Sequence, residues 1–290
     1  MNYFSQCDKI GKEETIHTES LLHGAGCPAG RGWSFTGFAG AGREFTMQTT
    51  QAAIQELKKI VETYDNIVFF GGAGVSTESG IPDFRSVDGL YNQQYDYPPE
   101  TILSHTFYRK NPKEFYRFYR NKMIFRDAKP NAAHKALAAL EAAGKVRAVI
   151  TQNIDGLHQA AGSKVVLELH GSVLRNYCEQ CGAFYDLDFI ANSEGIPKCS
   201  ACGGSVKPDV VLYEEGLNQK TINDAVRYIH EADVLIIGGT SLAVYPAAGL
   251  IDYFKGEKLV VINKSSTPRD SFADLLINAP IGEVFTAILS

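Results

Sequence analysis

The chain has 290 residues, 44% of them hydrophobic, which suffices to bury a full core as one large domain or two small ones. A formal net charge of −5 argues against nucleic acid or an anionic membrane as a partner, and no apolar run approaches the roughly 20 residues that span a bilayer. The start lacks a basic segment followed by an apolar one, so the expected setting is cytoplasmic.

Residues 1–46 stand apart from the rest. "HGAGCPAGRGWSFTGFAGAGREF" is rich in Gly and follows neither a 3.6 nor a 2.0 period. It reads as a disordered tail or as an extension ahead of a natural start at Met47, the alternative being a regulatory or targeting arm. Amphipathic order is expected just after Met47, where Ala52, Ala53, Leu57, Ile60 and Val61 recur at helical spacing. The remaining 47–290 read as one catalytic domain.

Short β-branched runs then alternate with helical patterns. The predicted strands are Ile67–Phe70, Val146–Ile150, Val165–Leu169, Val234–Gly238 and Leu259–Asn263, all without polar alternation, as in a parallel sheet covered on both faces. The predicted helices are Pro112–Phe125, Asn131–Ala143, Gln219–Glu231 and Pro246–Phe254. This order specifies an α/β fold with a doubly wound, Rossmann-like parallel sheet. Two stretches do not fit it: a helical, aromatic one at about 86–129 and a cysteine-bearing one at about 172–209. Both read as insertions that form a smaller zinc-ribbon and helical domain.

The first strand runs into "GGAGVSTESGIPDFRS", which begins like a dinucleotide-binding loop. Counted from Gly72, Gly74 fills the third position, but Thr77 stands where the sixth should be Gly. Pro82 then removes an amide donor and drives Ile81 out of the α region, so no helix can follow. Further along, Cys178-x2-Cys181 and Cys199-x2-Cys202 lie 17 residues apart, the spacing of a four-cysteine zinc ribbon. Four thiolates close a tetrahedral site and leave no position for water, so the single zinc is expected to be structural. Two disulfides are the alternative, disfavoured in a reducing compartment.

Polar residues cluster at strand ends, where open α/β sheets carry their chemistry. "TQNIDGLHQAAG" presents Gln152, Asn153 and Asp155, "ELHGS" places His170 at the end of the third strand, and Asn263 ends the fifth. "GGTSLAVYPAAG" offers backbone and hydroxyl donors fit for a phosphate or ribose.

Taken in order, "GAGVSTESGIPDFRS", "TQNIDGLH", "ELHGS", the four cysteines, "KPDVVLYEE", "GTSLAVYPAA" and "VINKS" resemble the sirtuins, NAD-dependent protein lysine deacylases, over about 51–289. "DGLY" and "KPNAAHKAL" are most similar to bacterial members. The resemblance implies NAD as co-substrate, with Ala73, Gly74 and Thr77 along the diphosphate, Arg85 pairing with it and Phe84 shielding the reactive centre. Gln152, Asn153, Ile154 and Asp155 would hold the nicotinamide and its ribose. Gly239, Thr240, Ser241, Asn263 and Ile281 would bind the adenosine half. His170 would be the general base on a ribose hydroxyl after the acyl oxygen has displaced nicotinamide, an imidazole near pKa 6.5 leaving a usable neutral fraction. The products would be lysine, nicotinamide and O-acyl-ADP-ribose.

By the same resemblance, acetylated proteins or peptides would add as a strand between "VVLYEE" and "SLAVY", with Val211 and Tyr213 lining the lysine tunnel. The family's Phe-Gly-Glu is replaced by Tyr213-Glu214-Glu215. Members that prefer succinyl or malonyl groups carry Tyr-x-x-Arg in the helical insertion, whereas Tyr119 follows Tyr116 here, so a neutral acyl group is expected. Alternatives within this chemistry are a deacylase for longer chains and an ADP-ribosyltransferase. A nicotinamide-dependent oxidoreductase accounts for the first loop alone, and Thr77 and Pro82 oppose it. A zinc-ribbon binding module accounts for the cysteines alone, and Arg175, Lys198 and Lys207 are too sparse to track phosphates.

Overall fold

The computed structural model describes residues 41–84, 89–90 and 97–290, with side chains from residue 50 onward. Arg85, residues 1–40 of the expected extension and parts of the 86–129 insertion lie outside the described residues.

The strands in chain order are β1 (Ile67–Gly71), β2 (Val146–Thr151), β3 (Val166–Glu168), β4 (Gly171–Cys178), β5 (Phe184–Tyr185), β6 (Val206–Val210), β7 (Val234–Gly238), β8 (Lys258–Ile262) and β9 (Leu275–Ile277). The helices are α1 (Ala41–Thr63), α2 (Pro99–Ile102), α3 (His105–Lys110), α4 (Pro112–Lys122), α5 (Ala132–Ala142), α6 (Leu157–Ala161), α7 (Leu187–Ala191), α8 (Gln219–Glu231) and α9 (Ile281–Leu289). All five predicted strands are present within a residue or two of their expected ends. They are joined in one parallel sheet of order β3-β2-β1-β7-β8-β9. Every residue of β1 and β7 is buried, which explains why neither run alternates.

Helices cover both faces. On one, Leu57 and Ile60 of α1, Leu137 of α5 and Phe285 of α9 pack against Phe69 and Ile236. On the other, Ala225 and Ile229 of α8 and Leu250 of the following turn pack against Val68, Phe70 and Leu235. The crossovers reverse direction between β1 and β7, so a crevice opens beyond the carboxyl ends of these two strands.

Three expectations change. Helix α1 begins at Ala41, ahead of the order expected after Met47. Pro246–Phe254 forms a 3-10 run, Ala247–Tyr253, and Gly249 in its middle disfavours an α-helix by about 1 kcal/mol. Strand β9 and helix α9 add to the expected elements; the three residues of β9 are too few to show a period, and the nine of α9 are mostly apolar.

The two insertions share one apolar cluster. Phe107, Tyr108, Phe115, Tyr116 and Tyr119 of α3 and α4 pack with Val173, Ile190, Val206 and Val210 around the antiparallel sheet β5-β4-β6. Among the described residues no helix is long and apolar enough to cross a membrane.

Candidate functional site

The loop after β1 and the loop after β7 lie against each other with almost no side chain between them. Gly72 N–H donates to the Gly238 carbonyl at 3.3 Å and Gly74 N–H to the Gly239 carbonyl at 2.7 Å. A Cβ on Gly74 would meet the Gly239 backbone at 2.8 Å, and Gly239 itself has φ 59 with Val75 N 2.4 Å from its would-be Cβ. These positions therefore admit only glycine. Ala73–Val75 and Thr77–Ser79 close as two 3-10 turns, Gly80 turns left-handed, and the chain runs on through Pro82 without a helix. Glu78 braces the loop from below, its carboxylate accepting from the first-turn amide of Gly282 in α9 at 2.7 Å. At the same end of the sheet Ile281 packs close to Gly238.

The loop after β2 brings its polar groups onto this platform. Gln152 Nε2 donates to Thr240 Oγ1 at 2.9 Å. Asn263 holds Thr240 from behind, accepting from its amide at 3.1 Å and donating to its carbonyl at 2.6 Å. Ser76, buried to 1%, donates to Asp155 Oδ2 at 2.7 Å and accepts from Asn153 Nδ2 at 3.0 Å. Sequence reasoning missed Ser76. Ser76 opens a run of four polar residues, Ser76 to Ser79, and nothing local singles it out from its neighbours.

His170 follows β3, as expected. Its Nδ1 lies 2.9 Å from the Gln152 carbonyl, an atom that can only accept. Nδ1 therefore carries the proton, and Nε2 keeps a lone pair. Burial pushes the His170 pKa down from its ordinary 6.5, against a smaller upward pull from the Gln152 bond, so the ring is neutral at pH 7.

Ala73, Gly74, Thr77, Phe84, Gln152 to Asp155, His170, Val211, Tyr213, Gly239 to Ser241, Asn263 and Ile281 all line one cavity of about 1130 Å³. Every predicted site residue on the described part of the chain, apart from the four cysteines, is thus gathered there. The opening carries both polar walls and the apolar floor needed for a large nucleotide and an extended chain.

The cysteines form a second site. Sγ atoms of Cys178, Cys181, Cys199 and Cys202 all lie within 4.8 Å of one another, and none is in a disulfide. Tetrahedral thiolates at 2.3 Å from zinc would stand about 3.8 Å apart, so the set fits that ion. Each knuckle closes on a left-handed glycine, Gly182 and Gly203, whose amides return to the Cys178 and Cys199 carbonyls at 2.9 Å.

A family model described as the Sir2 family matches residues 72–246. A Clostridium acetobutylicum protein named NAD-dependent protein deacetylase is 62% identical over 239 residues, covering 81% of this chain and 98% of its own length. A Clostridium tetani protein of the same name is 60% identical over 238 residues, covering 81% and 96%. A solved structure described as Sir2 with a p53 peptide and NAD+ has a TM-score of 0.73 at 40% identity, covering 81% of this chain and 97% of that one.

Proposed function

The chain belongs to the Sir2 family, and from that premise we propose that it removes acetyl groups from protein lysine side chains at the expense of NAD. With one water consumed, free lysine, nicotinamide and O-acetyl-ADP-ribose are the products. The observation that carries the reading is a neutral His170, fixed by the Gln152 carbonyl within the cavity that the two glycine loops open.

When bound, NAD supplies a ribose carbon activated by a departing nicotinamide. Each residue then has a definable task. Ala73, Gly74 and Thr77 bring the first loop against the diphosphate, Gly74 by its close approach because its own amide is taken by the Gly239 carbonyl, with Arg85 from the adjoining segment as the cation. Gly239, Thr240, Ser241, Asn263 and Ile281 hold the adenosine side. Gln152, Asn153, Ile154 and Asp155 orient the carboxamide and ribose. Ser76 ties Asn153 and Asp155 into one rigid unit, which supports this assignment. Phe84 excludes water. His170 takes a hydroxyl proton at Nε2, which commits that oxygen to attack the acyl carbon.

Val211 and Tyr213 flank the lysine stem of an acetylated protein or peptide. Cys178, Cys181, Cys199 and Cys202 hold one zinc in a closed site, giving a cross-link and no chemistry. A reducing, cytoplasmic compartment belongs to the same reading, supported by thiols that are free for metal.

Mass spectrometry of an acetyl-lysine peptide incubated with enzyme and NAD tests the proposal. Equal amounts of deacetylated peptide and O-acetyl-ADP-ribose are expected. An ADP-ribosylated peptide would point to the transferase alternative, and NADH would overturn the reading altogether.

A further inference from the structure

Among the described residues, only two that are not glycine hold a left-handed backbone, Glu214 at φ 75 and Leu242 at φ 52. Glu214 lines the cavity within 210–215, and Leu242 is buried within 241–245, a segment whose Ser241, Val244 and Tyr245 line the same cavity. A residue with a Cβ keeps this conformation only where its surroundings impose it, and such residues gather at ligand clamps.

The bonds that impose it on Glu214 are visible. Tyr213 N–H donates to the Leu103 carbonyl at 3.0 Å, and its own carbonyl accepts from His105 N–H at 2.9 Å. Glu214 Oε2 then accepts from Thr106 N–H at 2.8 Å, so the side chain is anchored one residue further on. The Glu214 amide and carbonyl have no partner among the described residues, and the residue is exposed where it lines the cavity.

Its neighbour differs. Glu215 is consumed within the fold, by His105 Nδ1 at 2.9 Å, Lys207 Nζ at 3.2 Å and the Leu212 amide at 2.9 Å. Among the described residues the Glu214 carboxylate accepts a hydrogen bond from the Thr106 amide and joins no ion pair, with His105 and Lys110 acting on it only through space. That bond holds its carboxyl below the usual range, so it is ionised at neutral pH.

Resting on the deacetylase reading, we propose that Glu214 is a specificity-determining residue. Its carboxylate, fixed at the lip of the peptide edge, selects substrates with Lys or Arg immediately flanking the acetyl-lysine. A flanking ammonium or guanidinium can donate to the remaining carboxylate oxygen while the peptide backbone pairs with the same residue. A flanking carboxylate meets like charge instead.

The test compares kcat/KM for three acetyl-lysine peptides that differ only in carrying Lys, Gln or Glu beside the acetyl-lysine. The Lys peptide should exceed the Gln peptide by about two- to fivefold, the range for one exposed ion pair, and the Glu peptide should fall below both. In Glu214→Gln the Lys-to-Gln ratio should approach one. Each ratio is internal to one enzyme preparation, so a general loss of activity cancels. Should the variant not fold, the wild-type ratio must still shrink between low and high salt, because an exposed pair is screened. Equal rates for all three wild-type peptides, or a ratio unchanged in Glu214→Gln, overturns the proposal. Turnover of the Gln peptide reports separately on the deacetylase reading.

Discussion

At the scale of single residues, three histidines are kept neutral by burial, and each has a different consequence. On the proposed mechanism His170 acts through Nε2, which requires its neutral form. Its pKa is depressed, which places the acid limb of kcat/KM below pH 6.5 with a plateau through neutrality. His170→Ala should lower kcat/KM by about 10² to 10⁴. An acid limb above 6.5, or near-normal turnover in the variant, would remove His170 from the mechanism. His134 and His158 pack with ring centroids 4.7 Å apart. Burial brings their pKa values to about 4 and about 3, with Asp155 pulling His134 back up and His134 pushing His158 further down. The unfolded chain takes up these protons from about pH 6.5 downward, whereas the fold refuses them. Stability is therefore complete above 6.5 and declines as the pH falls toward 4, by about 1.4 kcal/mol per unit for each group. Neither ring nitrogen of His158 has a partner among the described residues, so an apolar side chain costs little there. His158→Leu should keep Tm at pH 7 within about 5 °C of wild type and lessen its loss between pH 7 and pH 5. An unchanged acid slope in calorimetry would refute this.

Among the elements, α3 has a role out of proportion to its six residues. One end receives the peptide edge through His105 and Thr106. The other end reaches the first cysteine knuckle, where Tyr108 donates to Glu179 Oε2 at 2.8 Å and Arg109 Nη1 to Oε1 at 3.2 Å. Tyr116 of α4 adds a bond to the Val206 carbonyl at 2.7 Å, at the base of the same ribbon. Releasing the metal would free Glu179, then α3, then the edge proposed to pair with the substrate. Cys178→Ser or Cys199→Ser should accordingly release zinc, lower Tm and raise KM for peptide as well as reduce kcat. Zinc content by atomic emission and KM by titration check the chain of effects. A metal-free variant with wild-type Tm and KM would break it.

For the molecule as a whole, the cavity is lined jointly by residues of the sheet loops and of the two insertions. Tyr116 and Tyr119 are wholly buried in the insertion cluster and do not line the cavity. The two arginines beside them turn elsewhere. Arg117 forms a forked pair with Glu114, and Arg120 donates to Ser193 Oγ and the Gly195 carbonyl. Arg126 does line the cavity, but Asp188 and Asn192 already engage it. Leu103, Met123, Phe125 and Leu212 supply apolar wall instead. Lys122 and Lys264 are the other cations among the described lining residues, and a succinyl carboxylate loses its water against the apolar wall at a cost on the order of several kcal/mol. Acetyl-lysine peptides should therefore exceed matched succinyl peptides in kcat/KM by at least about 10²-fold. A higher value for succinyl would refute the argument.

The sequence by itself determined five strands of the sheet, the ribbon and the glycine and polar positions of the cavity's loops. Fully buried strands have to be written as uninterrupted apolar runs, loops that touch backbone to backbone have to be written in glycine, and a four-thiolate site needs its two paired spacings. Each of these is a local requirement and leaves a local mark. Only the tertiary structure decided the rest. Ser76 joins Asn153 and Asp155 across 77 and 79 residues of chain. Glu78 caps a helix 204 residues away, and Glu214 takes a glycine's conformation because Thr106 holds its carboxylate. Strand β9 exists because β8 offers it a ladder. These features depend on hydrogen bonds between segments distant in sequence, and a polar side chain carries no local sign of which distant partner it will meet.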